Sequence, residues 1–150
     1  MRALIQRSLN ASVSIAGTVT GSITHGLVVL LGVEHEDTPE DALWLAGKVV
    51  QMRIFSDAEG KMNLSVKDIA GGLLVVSQFT LHASTKKGNR PSFIRAARPE
   101  QAIPLYEQFI REFETDTGRT VERGIFGADM KLALINDGPV TIVIDSRARE

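Results

Sequence analysis

The first third of the chain alternates apolar and polar positions with a period close to two. Ala3 and Ile5 begin the alternation, and Val13 and Ile15 continue it. This spacing is typical of β-strands that bury one face. The run Leu27–Leu31 is instead wholly apolar and lies between two glycines, so it predicts a strand that is buried on both faces.

Two later stretches have helical spacing. Thr38, Pro39 and Asp41 are residue types suited to a helix N-cap, to the first helical position and to a capping box, and an apolar stripe follows them. We expect a second helix over Pro99–Glu114, in which apolar residues again fall on one face. Pro104 fits that helix only if it lies in the first turn, where the backbone N–H has no partner.

Three further stretches predict strands. Leu73–Leu81 begins apolar and ends polar, while Met130–Ile135 and Val140–Ile144 flank Asn136–Pro139. From the residues alone, Gly-Pro at this position favours a tight hairpin with a trans peptide bond. The whole pattern predicts one α+β domain over residues 1–150, with a sheet of about six or seven strands and two inserted helices.

Composition narrows the class of protein. The chain has 150 residues, 17 basic and 18 acidic side chains and no cysteine. A chain of this length can bury a core that needs neither a disulfide nor a metal, and the lack of cysteine excludes thiolate chemistry. A net charge of −1 argues against nucleic-acid binding over the whole surface. Neither a targeting segment nor a membrane span is predicted, so we expect a cytoplasmic protein without metal or cofactor.

Charge is nevertheless unevenly distributed. Residues 69–99 contain five basic side chains and no acidic one, and three of the five are Lys86, Lys87 and Arg90. Such a segment is either a solvated loop or a local binding site for phosphates. A non-catalytic RNA-binding module is therefore one function that the sequence leaves open.

The polar end of the Leu73–Leu81 stretch is a candidate pocket wall. If the strand continues, Gln78, Thr80 and His82 lie on one face and Ser77 and Phe79 on the other. A strand that merely emerges into solvent has the same pattern, so both interpretations stand.

A conventional esterase with Thr80 or Ser77 as nucleophile is a second alternative. Such a nucleophile needs a base within hydrogen-bond reach. Of the three histidines only His82 is close in sequence, and the chain has neither a Gly-x-Ser-x-Gly elbow nor a His-Glu-x-x-His zinc motif.

Three motifs taken together resemble the D-aminoacyl-tRNA deacylase family in order and spacing. They are Ser77–Leu81 (SQFTL), Lys87–Phe93 (KGNRPSF) and Asn136–Thr141 (NDGPVT). Further matches extend the resemblance over essentially the whole chain, at Met1–Arg7, Arg53–Phe55, Gly60–Ser65 and Phe126–Met130.

The resemblance implies a homodimer of small β-barrel-like α+β subunits and no DNA or membrane partner. Its activity would be hydrolysis of the ester between a D-amino acid and the terminal adenosine of tRNA, with glycyl-tRNA(Ala) as a further substrate. Ser77 and Gln78 would bind the substrate. The backbone amides of Phe79 and Thr80 would stabilise the oxyanion, while the ribose hydroxyl of the substrate assists attack by water.

The resemblance also implies how chirality is selected. Gly138–Pro139 would be a cis dipeptide that enters the pocket of the partner subunit and collides with the side chain of an L-amino acid. We expect Arg7 to hold this segment by donating to its carbonyl groups. The basic segment would contact the tRNA phosphates through Lys86, Lys87 and Arg90.

Overall fold

The computed structural model describes residues 1–149, which form eight β-strands, two α-helices and one 3₁₀ turn. The strands are β1 (Arg2–Ile15), β2 (Thr18–Ile23), β3 (Gly26–Gly32), β4 (Phe55–Ser56), β5 (Met62–Leu64), β6 (Gly72–Ser77), β7 (Glu122–Arg123) and β8 (Met130–Asp145). The helices are α1 (Pro39–Gln51) and α2 (Pro99–Thr117), and the 3₁₀ turn spans Phe79–His82.

Strand β1 organises the sheet because it pairs on both edges. One edge is antiparallel to β8, while the other pairs with β3 through residues 2–8 and with β2 through residues 11–15. Parallel pairing then continues from β3 to β6 and β7. The amide of Ser22 in β2 donates to the carboxylate of Glu122 in β7 at 3.2 Å, so the sheet nearly closes. The predicted barrel-like α+β class is confirmed.

The two central parallel strands separate two apolar cores. Side chains alternate along a strand, so Val29 and Val75 face the helices and join the larger core. Val28, Leu74 and Val76 point the other way and form a second core inside the barrel. The prediction that Leu27–Leu31 is buried on both faces is therefore confirmed, and β6 is buried in the same way.

Helix α1 begins as the sequence predicts. Pro39 is its first residue, and the carboxylate of Asp41 accepts hydrogen bonds from the backbone N–H and the hydroxyl of Thr38, both at 2.9 Å. These bonds satisfy groups that the start of a helix leaves without partners. The ring of Trp44 on this helix lies 4.6 Å from the guanidinium carbon of Arg149.

Helix α2 differs from its prediction in two respects. It ends at Thr117 rather than Glu114, and Gly118 follows with a φ of 66°. Pro104 is the sixth residue of the helix, so the helix tolerates this proline beyond the first turn, contrary to the condition set from the sequence. Pro104 and Glu100 are both exposed, so the Glu100 carbonyl that loses its helical partner faces water. No helix within residues 1–149 is long and apolar enough to cross a membrane.

The expected strand over residues 73–81 is shorter than predicted. Strand β6 ends at Ser77, and the chain then bends into the 3₁₀ turn, where the Leu81 amide donates to the Gln78 carbonyl at 3.2 Å. Gln78, Thr80 and His82 therefore do not share one face of a strand. The pattern of polar and apolar side chains does not distinguish a strand that stays extended beyond Ser77 from a chain that bends there into a tight turn.

The expected hairpin near the C-terminus is also wrong. Both predicted strands belong to β8 and run antiparallel to β1, with Gln6 opposite Thr141 and Ser8 opposite Asn136. Residues 137–140, here called the bulge, lie opposite Arg7 alone. The Gly138–Pro139 peptide bond within the bulge is cis, not the trans isomer that the residues alone favour.

We expect Gly26→Ala to destabilise the fold because β3 and β6 approach closely at this residue. A Cβ on Gly26 would lie 2.0 Å from the carbonyl oxygen of Gly72. Overpacking against backbone should lower the free energy of unfolding by about 3 kcal/mol, measured by urea denaturation. Gly47 in α1 is the matched control, since its Cβ would meet nothing within 4 Å. Gly47→Ala should raise stability by about 0.5–1 kcal/mol, and equal effects of the two substitutions would contradict the prediction.

Candidate active site

A cleft of about 260 Å³ opens where β6 ends. One wall is the end of β6 and the start of the 3₁₀ turn, and the other is the loop before β8 with the first residues of β8. The lining residues are Val76, Ser77, Gln78, Phe79, Gly127, Ala128, Asp129, Met130 and Leu132. Val76, Met130 and Leu132 also belong to or pack against the barrel core, so the floor of the cleft is the outer end of that core.

The first wall presents amide and hydroxyl groups in a fixed arrangement. The backbone N–H of Gln78 donates to the Leu31 carbonyl at 2.8 Å, and its side-chain Nε2 donates to Thr80 Oγ1 at 2.5 Å. Phe79 and Thr80 are the first two residues of the 3₁₀ turn, so their backbone N–H groups have no acceptor within that turn. The ring of Phe79 is 55% exposed beside them.

A buried tyrosine supports this wall from behind. The hydroxyl of Tyr106 in α2 donates to the carbonyl of Val75 in β6 at 3.0 Å. Burial raises the pKa of Tyr106 to about 12, so the hydroxyl stays protonated and keeps this bond near neutral pH.

The histidines do not provide a base for Thr80 or Ser77 within residues 1–149. His82 is 2% exposed and packs against Gly32, and neither ring nitrogen has a hydrogen-bond partner in the described chain. His35 Nε2 lies 3.1 Å from the Ile94 carbonyl, and His25 packs edge-on against a phenylalanine. The geometry therefore offers no histidine-activated nucleophile.

The bulge is braced by Arg7 and by Asn136, the residue that precedes it. Arg7 is 8% exposed, and its guanidinium donates to the carbonyls of Ile54 and Asp137, at 2.5 and 3.2 Å, and pairs with the Asp137 carboxylate at 2.9 Å. Asn136 Oδ1 accepts from the Val140 amide at 2.9 Å, which spans the bulge from end to end. The conformation of the bulge thus depends on contacts from β1 and from the segment before β4.

Gly138 and Pro139 are exposed and do not line the cleft of their own chain. Within the chain the structure brings Ser77, Gln78 and Phe79 together with Met130, not with the bulge. Ile135 and Val143 flank the bulge and are 53% and 59% exposed, on a strand whose second edge has no strand partner among the described residues. An exposed apolar side chain therefore lies on β8 on each side of the bulge.

The basic segment forms a closed loop next to the cleft. Ser84 and Ser92 exchange two backbone hydrogen bonds of 2.8 Å, and Lys86, Lys87 and Arg90 are exposed between them. Residues 84–95 are here called the basic loop. It adjoins the cleft through an edge-on contact between the rings of Phe79 and Phe93, whose centroids are 5.1 Å apart.

Comparison with known proteins identifies the family. The family model described as D-Tyr-tRNA(Tyr) deacylase matches residues 4–145. The chain belongs to that family. A curated protein of Akkermansia muciniphila named D-aminoacyl-tRNA deacylase is 63% identical over 150 residues, and the match covers all of both chains. The family predicted from the sequence motifs, a family of ester hydrolases, is confirmed.

Solved structures agree with the fold of the deacylase family. One, described as c-Myc DNA Unwinding Element Binding Protein, has a TM-score of 0.91 and 38% identity and covers 97% of this chain and 98% of its own. Another, described as a probable eukaryotic D-amino acid tRNA deacylase, has a TM-score of 0.80 over 95% of this chain and 97% of its own. At 17% identity, the second comparison concerns the fold alone.

Sequence reasoning missed the second wall of the cleft. The resemblance to the deacylase family includes residues 126–130, but the sequence indicates no role for Met130 or Leu132. Met130 and Leu132 alternate with exposed residues in a half-buried strand, and ordinary core residues show the same pattern as residues that line a cleft. Only the approach of β8 to the end of β6 makes them part of a cleft.

We expect Gly124→Ala to displace the Met130 side chain in the cleft. A Cβ on Gly124 would lie 2.2 Å from Met130 Sδ, and a flexible thioether can move where backbone cannot. In ¹³C-methyl spectra of the four methionines, the Met130 signal should shift. Gly47→Ala, the control, should leave that signal in place. An unchanged Met130 signal in Gly124→Ala would contradict the predicted contact.

Proposed function

We propose that the protein hydrolyses the ester that joins a D-amino acid to the terminal adenosine of tRNA, in the cytoplasm. The observation that carries the proposal is the family match over residues 4–145. The cleft adds support, because it combines an apolar floor and an exposed aromatic ring with amide donors at one point. A purine nucleoside that carries an acyl ester matches these groups, because its base can pack against the apolar floor and the ring and its ester carbonyl can accept from the amides.

The chemical step is addition of water to the ester carbonyl, followed by loss of the ribose oxygen to give a free amino acid and tRNA. We assign the backbone N–H groups of Phe79 and Thr80 to the oxyanion, and Ser77 and Gln78 to substrate binding. One such donor contributes about 2.7–4 kcal/mol in enzymes that depend on it. The adjacent ribose hydroxyl of the substrate would assist the water, which fits a cleft whose lining, among the described residues, includes no histidine.

Chirality would be selected by the bulge of a second subunit. The exposed Gly138–Pro139 segment presents main chain and a proline ring, and it lies outside the cleft of its own chain. Placed in the cleft of a partner, it would collide with the side chain of an L-amino acid, whereas a D-side chain points away and glycine has none. Glycyl-tRNA(Ala) would therefore be a further substrate.

A homodimer is part of this proposal. The exposed Ile135 and Val143 and the unpaired edge of β8 surround the bulge, and an apolar surface with a free strand edge favours association. Arg7 would act as a positioning residue, since its guanidinium fixes Asp137 next to the Gly-Pro segment. Lys86, Lys87 and Arg90 would bind tRNA phosphates beside the cleft.

The first test compares D- and L-tyrosyl-tRNA as substrates. We expect free tyrosine to be released from the D-substrate, with release from the L-substrate no faster than without protein. Equal release from both would contradict selection by the bulge. Salt-sensitive tRNA binding with no release from either would favour the alternative of a non-catalytic RNA-binding module, which the basic loop supports.

The second test separates substrate-assisted catalysis from a threonine nucleophile. If the hydroxyl of Thr80 only accepts from Gln78, Thr80→Ala should retain activity within about tenfold, since its backbone N–H remains. D-tyrosyl-tRNA whose terminal adenosine lacks the 2′-hydroxyl should lose much more. A nucleophile would give the reverse, with Thr80→Ala reducing kcat by roughly 10⁴-fold or more. Ser77→Ala applies the same test to the other hydroxyl.

A further inference from the structure

A second cavity, of about 230 Å³, lies within the basic loop. Its lining residues are Ser84, Lys86, Lys87, Arg90, Ser92, Ile94 and Arg95. Phosphate binding by Lys86, Lys87 and Arg90 does not explain why these side chains line a concave space. A phosphate needs cationic and N–H groups on a surface, whereas this space also has an aliphatic side chain in its wall.

Ile94 is the unexplained member of the cavity wall. It is 83% exposed, whereas the next most exposed large apolar side chain of the described chain, Val143, is 59% exposed. A single exposed aliphatic residue is ordinary on a protein surface. An exposed aliphatic residue that lines a concave space among four cations is a different arrangement, because it provides an apolar contact where anions are attracted.

The backbone on both sides of Ile94 is fixed. Ser84 and Ser92 close the loop, and the Ile94 carbonyl contacts His35 Nε2 at 3.1 Å. The next residue is fixed as well, since Arg95 Nη2 lies 2.5 Å from an oxygen of the buried Glu34 carboxylate. The cavity is therefore preformed, with the guanidinium of Arg95 held beside it.

The cavity lies beside the candidate active site, and one aromatic contact links the two. Phe93 lies between Ser92 and Ile94 in sequence, and its ring contacts Phe79 of the cleft at a centroid distance of 5.1 Å. If the terminal adenosine of an RNA chain occupies the cleft, the nucleotides that precede it lie against the basic loop. Those nucleotides are then available to fill the cavity.

We propose that this cavity binds a nucleobase of the unpaired acceptor end, from one of the nucleotides that precede the terminal adenosine. The inference rests on the proposed function. The base stacks on Ile94 and on the guanidinium plane of Arg95, while Lys86, Lys87 and Arg90 take the flanking phosphates. Single-stranded RNA is commonly bound through unstacked bases against flat or apolar side chains, with cations along its backbone.

The test exploits the different salt dependence of base and phosphate contacts, with binding of uncharged tRNA as the readout. Ile94→Ser should weaken binding about tenfold and leave the slope of log affinity against log salt unchanged. Lys86→Gln should weaken binding and reduce that slope by about one. Leu43→Ser is the matched control, since Leu43 is 53% exposed on α1, and it should change neither quantity.

Abasic tRNAs identify the base. With one abasic nucleotide at each unpaired position before the terminal adenosine, the wild-type protein should lose about tenfold in affinity at one position. Ile94→Ser should show no further loss there, because both changes remove the same contact. The inference is overturned if Ile94→Ser behaves like Leu43→Ser, if the two losses add, or if Ile94→Ser changes the salt slope.

The two proposals fail in different ways. Lack of release from D-tyrosyl-tRNA by the wild-type protein, with the abasic pattern intact, would refute the hydrolysis and leave the base-binding cavity standing. Release of D-tyrosine with no effect of Ile94→Ser on KM or on tRNA affinity would refute the cavity and leave the hydrolysis standing. If the cavity acts only in binding, Ile94→Ser should raise KM about tenfold and leave kcat unchanged.

Discussion

Arg7 carries a permanent charge into a site that is 8% exposed, and a buried guanidinium is tolerated only where its donors find acceptors. Regular pairing between β1 and β8 directs backbone acceptors at backbone donors and leaves none for this side chain. The departure of β8 from that pairing supplies the Asp137 carbonyl and carboxylate, and the segment before β4 adds the Ile54 carbonyl. Pairing resumes on both sides, at Gln6 and Ser8. The exposed Gly-Pro segment thus follows directly after the residue that provides hydrogen-bond acceptors for the buried Arg7 guanidinium.

The cleft forms where the two-sided burial of the sheet ends. As far as Ser77, β6 has apolar neighbours on both faces, and beyond it the barrel core has no further layer to cover the strand. The chain turns there, so amide groups, the Phe79 ring and the apolar ends of Met130 and Leu132 meet in a small space. Among the described residues, Asp129 is the one ionisable side chain that lines the cleft, and it pairs with Lys131. The proposed assistance by a hydroxyl group of the substrate fits a lining without a histidine.

Much of the fold is predictable from the residues, because burial on one or two faces leaves a clear pattern. The runs of β3 and β6 and the start of α1 at Thr38 follow directly from apolar spacing and capping chemistry. The 3₁₀ turn and the continuity of β8 were not predictable in this way. A polar strand end resembles a tight turn, and Gly-Pro between apolar runs resembles a hairpin, unless the neighbouring strand is known. The family motifs located residues 77–80, whereas the contribution of Met130 depends on an approach between distant segments.

Because β1 pairs on both edges over residues 2–15, it also limits how the length of this chain can vary. Inserting or deleting one residue there would turn every later side chain to the opposite face. Arg7 would then leave its acceptors, and Val13 would leave the barrel core. The basic loop is closed by Ser84 and Ser92 and carries no such register, so an inserted residue there would leave the pairing of β1 intact. A change of chain length in the basic loop would therefore alter only the proposed RNA contact, whereas the same change in β1 would disturb the strand that supports the bulge.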